Sequence, residues 1–160
     1  MEGSVTERPA DYQSDEYAWL LQQAAALRAQ RLTTLDTANL AEFLEDMARS
    51  EVREVKARLR ILFLHLLKFR CQPERATPSW AVSIFNAQDE LRDMFDSVSL
   101  RREGEKALSS AWQRARRDAA AETELPLSAF PAENPWTLDE ALAWKPPGGI
   151  ATRTRPARAT

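Results

Sequence analysis

Apolar residues recur along this chain at intervals of three and four for most of its length, and alternating β-branched runs are absent, so the pattern predicts an all-α fold. The first helix is expected to start at Ser14 as N-cap, with Asp15 and Glu16 at the positive end of its dipole, and to run to about Gln30. Tyr17, Leu20, Leu21, Ala24 and Leu27 share its apolar face. Trp19 lies on the far side with Ala26, so it either packs against a second element or is exposed as an interface residue.

Residues 36–70 read as one long helical pattern whose register breaks. Leu40, Phe43, Leu44 and Met47 form one stripe, while Val52, Val55, Leu59, Leu62, Leu66 and Phe69 keep 3-4 spacing in another phase. The five-residue step from Met47 to Val52, with Ser50 available as a fresh N-cap, predicts two helices or a kink near positions 49 and 50. Beyond Arg60 the second part is apolar on nearly every side, which is the signature of a central helix. Thr77-Pro78 opens a further helix carrying Trp80, Ile84, Ala87, Leu91, Met94 and Val98. Ser99 caps the next, which runs to about Thr123 on Leu108, Ala111, Trp112, Ala115 and Ala119. Pro126, Pro131 and Pro135 then enforce an extended stretch before the capping box Thr137-x-x-Glu140 and a short last helix through Trp144. The expected architecture is a single-domain bundle of five to six helices around a central helix at 51–70. A flexible arm at 1–13, a helical domain at 14–144 and a flexible basic tail at 145–160 complete the reading.

Composition narrows the function classes. With 160 residues, 44% of them hydrophobic, the chain is long enough to bury a core without disulfides or a structural metal. Its one cysteine, Cys71, excludes an intramolecular disulfide and a multi-thiolate zinc site within one chain. The densest apolar window, Ile61 to Leu67, is interrupted by His65, and no apolar run resembles a signal peptide or a membrane span, so a cytoplasmic protein with no membrane partner is expected. Net charge is −2, and the tail carries Lys145, Arg153, Arg155 and Arg158 without an acid, leaving −6 on residues 1–144. Such a body does not bind nucleic acid by bulk charge.

A series of landmarks runs from Asp11-Tyr12 and Tyr17-Ala-Trp19-Leu through Leu35-Asp36 and Asn39-Leu-Ala-Glu to His65-Leu-Leu-Lys68, Gln72-Pro-Glu-Arg75 and Ser79-Trp80. Ala121-Glu-Thr123, Leu125-Pro-Leu and Phe130-Pro follow in order. Over about residues 11–144 this composite resembles the bacterial family known as domain of unknown function twenty-nine. The resemblance implies an all-helical bundle in a bacterial, cytoplasmic setting, and carries no reaction, cofactor or catalytic residue with it.

Paired carboxylates are the first candidate chemistry. Glu42-x-x-Glu45 and Glu90-x-x-Asp93 are spaced like the acid pairs of helical metal-dependent hydrolases, but both project from the faces opposite their helices' apolar stripes, where a solvated face with a Glu45–Arg49 pair is expected and no metal. The stronger set is a polar seam on the central helix. Glu54, Arg58, His65, Lys68 and Gln72 fall within an arc of about 80° on the helical wheel, with Arg75 and Trp80 following directly. Charges on a helix this apolar must pair, reach water or bind something, so the seam is either a satisfied interhelical network or a pocket in which His65, Lys68, Gln72, Arg75 and Trp80 hold a small anionic ligand or nucleotide. Cys71 beside Arg70 has either a lowered thiol pKa or the role of a small hydrophobe at a helix end. Trp80, Trp112 and Trp144 belong to the apolar stripes, whereas Trp19 and Trp136 are the interface candidates. Arg102, Lys106, Arg116 and Arg117 gather on one side of the fourth helix, a stripe that supports at most weak, salt-sensitive nucleic-acid association. The preferred reading is a non-enzymatic interaction or regulatory module, pairing with itself or with another protein and requiring no cofactor. A binder or enzyme for a small anion at the seam is the alternative, and a weak nucleic-acid adaptor the third.

Overall fold

The computed structural model of the protein describes residues 11–147, so the expected arm at 1–13 and tail at 145–160 lie, apart from their inner ends, outside the described residues. The described chain is 77% helical and contains no strand. Five α-helices follow one another: α1 (Glu16–Arg28), α2 (Thr37–Cys71), α3 (Pro78–Met94), α4 (Val98–Thr123) and α5 (Leu138–Ala143), with single 3-10 turns at Leu32–Thr34, Pro73–Arg75 and Leu127–Ala129. The chain divides into two compact units at Arg49 and Ser50.

The predicted break near positions 49 and 50 does not occur, because α2 runs through it as one helix of 35 residues. The register changes for another reason. Upstream of the division α2 turns Phe43 toward the Trp19 ring of the first unit, and downstream it buries Val55, Leu59, Leu62, Phe63 and Leu66 in the core of the second. The phase slip falls where this change occurs, with Leu44 and Met47 of the upstream stripe left exposed.

In the first unit α1 begins one residue later than expected, with Asp15 as N-cap accepting from the Ala18 N–H at 3.0 Å. Its buried residues are Trp19, Gln23 and Ala26, and the periodic stripe of Tyr17, Leu21 and Leu27 faces solvent. Polar chemistry decides this inversion. The Trp19 indole N–H donates to Asp36 Oδ2 at 3.2 Å while its ring meets Tyr12 at a tilt, 4.7 Å between centres, and Phe43 edge-on at 6.2 Å. Gln23 Oε1 accepts the Asp36 backbone N–H at 2.9 Å. Asp36 meanwhile caps α2 by accepting from the Asn39 backbone at 3.3 Å and from its side-chain amide at 2.6 Å. The Asn39 hydrogen bond above all holds the Asp36 carboxyl below its ordinary pKa. A large ring with a donor that finds a charged acceptor outweighs three leucine-type contacts on the other side.

The second unit is built around residues 55–69 of α2, which pack with α3, α4 and α5 in a continuous apolar core. Trp112 of α4 is fully buried between Phe63, at 5.5 Å, and Trp136, at 5.7 Å, and its indole N–H donates to the Pro131 carbonyl at 3.2 Å. Gly104 lets α4 lie close, since a Cβ there would stand 2.8 Å from the Phe95 ring and 3.4 Å from Val55 Cγ1. The helix starts from Ser97, not Ser99, and Val98, assigned from spacing to the α3 stripe, is instead its exposed first residue. The Thr137–Glu140 capping box forms as expected, and the buried Gln88 amide donates to the Ala141 and Trp144 carbonyls at 3.0 and 2.9 Å, tying the end of α5 to α3.

Candidate functional site

Along the polar seam of α2 the ion pairs are filled from α2 itself and from neighbouring helices. Arg58 pairs with Glu54 and with Glu90 of α3, both at 2.6 Å. Lys68, only 8% exposed, places its ammonium 2.7 Å from Glu122 of α4 and 4.5 Å from the centre of the Trp80 ring. Trp80, in the first turn of α3, is held edge-on by Phe69 at 5.6 Å. His65, one turn before Lys68, is half-buried with no hydrogen-bond partner for Nδ1. Burial first, and the Lys68 charge second, hold its pKa below 6.5, against an opposing pull from Glu122. Gln72 is buried directly after α2, whereas Arg75 ends the 3-10 turn exposed. Lys68, Trp80 and Glu122 thus form one packed cluster with His65 at its edge.

A second arrangement lies one face away on the same helix. Between α2 and α4 runs an open groove of 690 Å³ with Ala57, Ile61 and Leu64 on one wall and Ala111 and Ala121 on the other. Its rim is basic. Arg53, Lys56 and Arg60 project from α2 and Arg114 from α4, while Asp118 is taken up by a bidentate contact with the Arg60 guanidinium, 2.7 Å at its Nη2 end. Glu122, at the far end, is engaged by Lys68. Arg53 and Arg114 have no carboxylate partner among the described residues. Lys56 lies near enough to Glu103 to help lower its pKa.

The other sequence candidates are placed as follows. Trp19 is 1% exposed in the first unit, and its N–H is spent on Asp36. Trp136 is half-buried against Trp112, with Arg70 5.8 Å above its ring. Cys71 closes α2 with its thiol 3.7 Å from the Ala129 carbonyl; burial pushes the thiol pKa up and outweighs the lowering by Arg70. The α4 stripe does not act as a unit. Lys106 pairs with Glu103 at 2.6 Å, and Arg116 spends its guanidinium on Gln113 and on the Leu127 and Phe130 carbonyls, which pins the turn at Leu127–Ala129. Of the acidic pairs, Glu45 engages Arg49 at 3.4 Å as expected, with Asp46 also on Arg49 at 2.6 Å, and Glu90 engages Arg58. No helix of the described residues is long and apolar enough to cross a membrane.

Against known families, the sequence matches the one described as "Domain of unknown function DUF29" over residues 12–145. The chain belongs to the DUF29 family. The match takes in both compact units, so the hairpin of α1 with the start of α2 is as much a part of the DUF29 domain as the α2–α4 groove. No curated protein and no solved structure matches the chain.

Sequence reasoning on this DUF29 chain reached the seam and missed the groove. Arg53, Lys56 and Arg60 follow i, i+3, i+7 spacing beside Ala57, Ile61 and Leu64, a basic edge along a small-residue furrow that was legible in principle. The deciding partner, Arg114, stands 54 positions after Arg60 and acquires meaning only when α4 is laid alongside α2.

His65 gives the DUF29 fold an acid-sensitive spot. The unfolded chain binds a proton at this histidine below about pH 6.5, whereas the folded chain resists it, so stability is present above that pH and falls as pH drops toward the depressed folded value. Urea midpoints measured between about pH 7.5 and 5.5 are expected to decline in the native protein and to decline less in His65→Gln. Equal slopes in the two would show that the imidazole is as free to protonate folded as unfolded.

Proposed function

We propose that this chain is a non-enzymatic interaction module, acting in the bacterial cytoplasm, whose groove between α2 and α4 receives an acidic amphipathic helix of a partner protein. The groove is the observation that carries the reading. From Arg53 to Leu64 it follows α2 for about three helical turns, long enough to seat the i, i+4, i+7 anchors of a docked helix. Its floor is aliphatic, and its rim holds guanidinium and ammonium groups with cationic charge to spare, so the complementary occupant is apolar on one side and carboxylate-bearing on its flanks. Guanidinium groups stay charged at any working pH and donate only, which suits recognition better than proton transfer.

A small anion at the His65, Lys68, Gln72, Arg75 and Trp80 seam is the lesser reading, since a ligand there would have to displace Glu122 from Lys68. Nucleic-acid association is the third reading.

Three probes separate these occupants by fluorescence anisotropy on the full chain: a labelled three-turn peptide with Leu at i, i+4 and i+7 and Glu on its flanks, the same peptide with Lys for Glu, and a short labelled DNA duplex, with inorganic phosphate as competitor. The Glu peptide is expected to bind, to weaken with salt, and to lose at least tenfold in affinity in Arg53→Glu/Arg114→Glu. Equal binding of both peptides, or competition by phosphate that Lys68→Ala abolishes, would overturn the groove reading. Preference for the duplex would move the protein to the nucleic-acid class.

A further inference from the structure

We infer that the outward face of α1 pairs two copies of this chain in an antiparallel, two-fold contact. The inference is independent of the groove and uses none of its residues.

The first unit is under-filled. Its described residues include only three that are buried, one of them a glutamine, and the unit, Met1–Arg49, is little larger than the roughly 40 residues below which a metal, a disulfide or another subunit is usually needed. At the same time α1 leaves its most apolar stripe in solvent. Tyr17 is 75% exposed, Leu21 55% and Leu27 49%, with the half-buried Leu20 and Ala24 between them. These five positions span an arc of about 120°, the width of a helix face that normally meets a core. Trp19, Gln23 and Ala26 occupy the side that α1 turns inward, so Tyr17, Leu21 and Leu27 are left outside the core of their own unit. With Leu32 just beyond the helix, it offers on the order of 500 Å² per copy and about 1,000 Å² for a pair, the size at which specific association begins.

A second copy is favoured because the stripe is complementary to itself. Two α1 helices laid antiparallel about a point near residue 22 set Tyr17 of each against Leu27 of the other, and Leu20 against Ala24. The charges at the ends also match. The start of α1 carries Asp11, Asp15 and Glu16, and its end carries Arg28 and Arg31, so the antiparallel pair brings the acidic end of each helix to the basic end of the other. A parallel pair would set like charges together at both ends. Neither Glu16 nor Arg28 has an ion-pair partner among the described residues.

Light-scattering mass of the full chain across concentration decides the matter. The native protein is expected to pass from monomer to dimer as concentration rises through the micromolar range, and Tyr17→Glu/Leu21→Glu to remain monomeric. Both positions are exposed, so helicity by circular dichroism and binding of the Glu peptide to the groove should be unchanged in that variant. Arg28→Glu alone should shift the midpoint to at least tenfold higher concentration, and Glu16→Arg/Arg28→Glu should restore it. A native chain that stays monomeric to millimolar concentration, or a dimer untouched by Tyr17→Glu/Leu21→Glu, would overturn the inference. So would a dimer in which the double charge swap fails to repair the single one. Loss of groove binding with dimerisation intact would instead refute the proposed function and leave this contact standing.

Discussion

Leu62→Pro is expected to abolish cooperative folding of the second unit. Leu62 is fully buried in the middle of α2, with Leu59, Phe63 and Leu66 around it in the same core. Proline there removes a backbone donor and forces its ring against the carbonyl one turn back, at a cost of about 3 kcal/mol or more. The resulting kink falls where the helix packs on several sides, so lost leucine burial adds roughly 2–5 kcal/mol. Together these come to roughly 5–8 kcal/mol, against the roughly 5–15 kcal/mol by which an ordinary domain is stable. The expected result is a chain with reduced far-ultraviolet ellipticity and no sigmoidal thermal transition. A native-like melt in this variant would show that the helix is dispensable at its centre, contrary to its place in the core.

Trp19→Ala is expected to have the second largest effect, and a different one. The Trp19 ring supplies most of what the first unit buries, holds Tyr12 and Phe43 by ring contacts, and donates the indole hydrogen bond to Asp36 that helps keep the α2 cap in place. Truncating a buried tryptophan costs about 3–5 kcal/mol, more than so small a unit can hold in reserve. The first unit should therefore unfold alone. Hydrogen exchange would show loss of protection in residues 16–28 and at the start of α2, while the Trp112 environment and the protection of residues 55–69 persist. Uniform loss of protection across α3 and α4 would mean that the two units do not unfold separately. The substitution should also abolish dimerisation, because the α1 stripe exists as a face only while α1 is helical.

How far the sequence could be read depended on how local each determinant was. The capping box at Thr137, proline at the head of α3, the alanine and tryptophan stripe of α4 and the apolar density of residues 61–67 all act within a few turns of themselves, and each was legible. The α1 face was misjudged because periodicity counts apolar side chains, while the fold weighed one indole N–H that could reach a carboxylate 17 residues away. The apparent break in α2 is no helix end, because nothing in the backbone between Met47 and Val52 stops a helix; Phe43 meets the Trp19 ring, Leu44 and Met47 stay exposed, and burial begins only at Val55. The seam was foreseen as a line of polar groups, but not the identity of its partners. Glu122, which takes Lys68, and Glu90, which takes Arg58, are brought in by other helices.

By itself, then, the sequence determined the all-α character, the central placement of residues 51–70 and the need for the charges on that helix to be answered. These follow from 3.6-residue periodicity and from the cost of burying an unpaired charge, which operate along one helix. Only the tertiary structure decided which face of α1 is buried, which acid answers Lys68, and where a basic-rimmed groove opens between α2 and α4, because each of these depends on groups that meet across helices far apart in the chain.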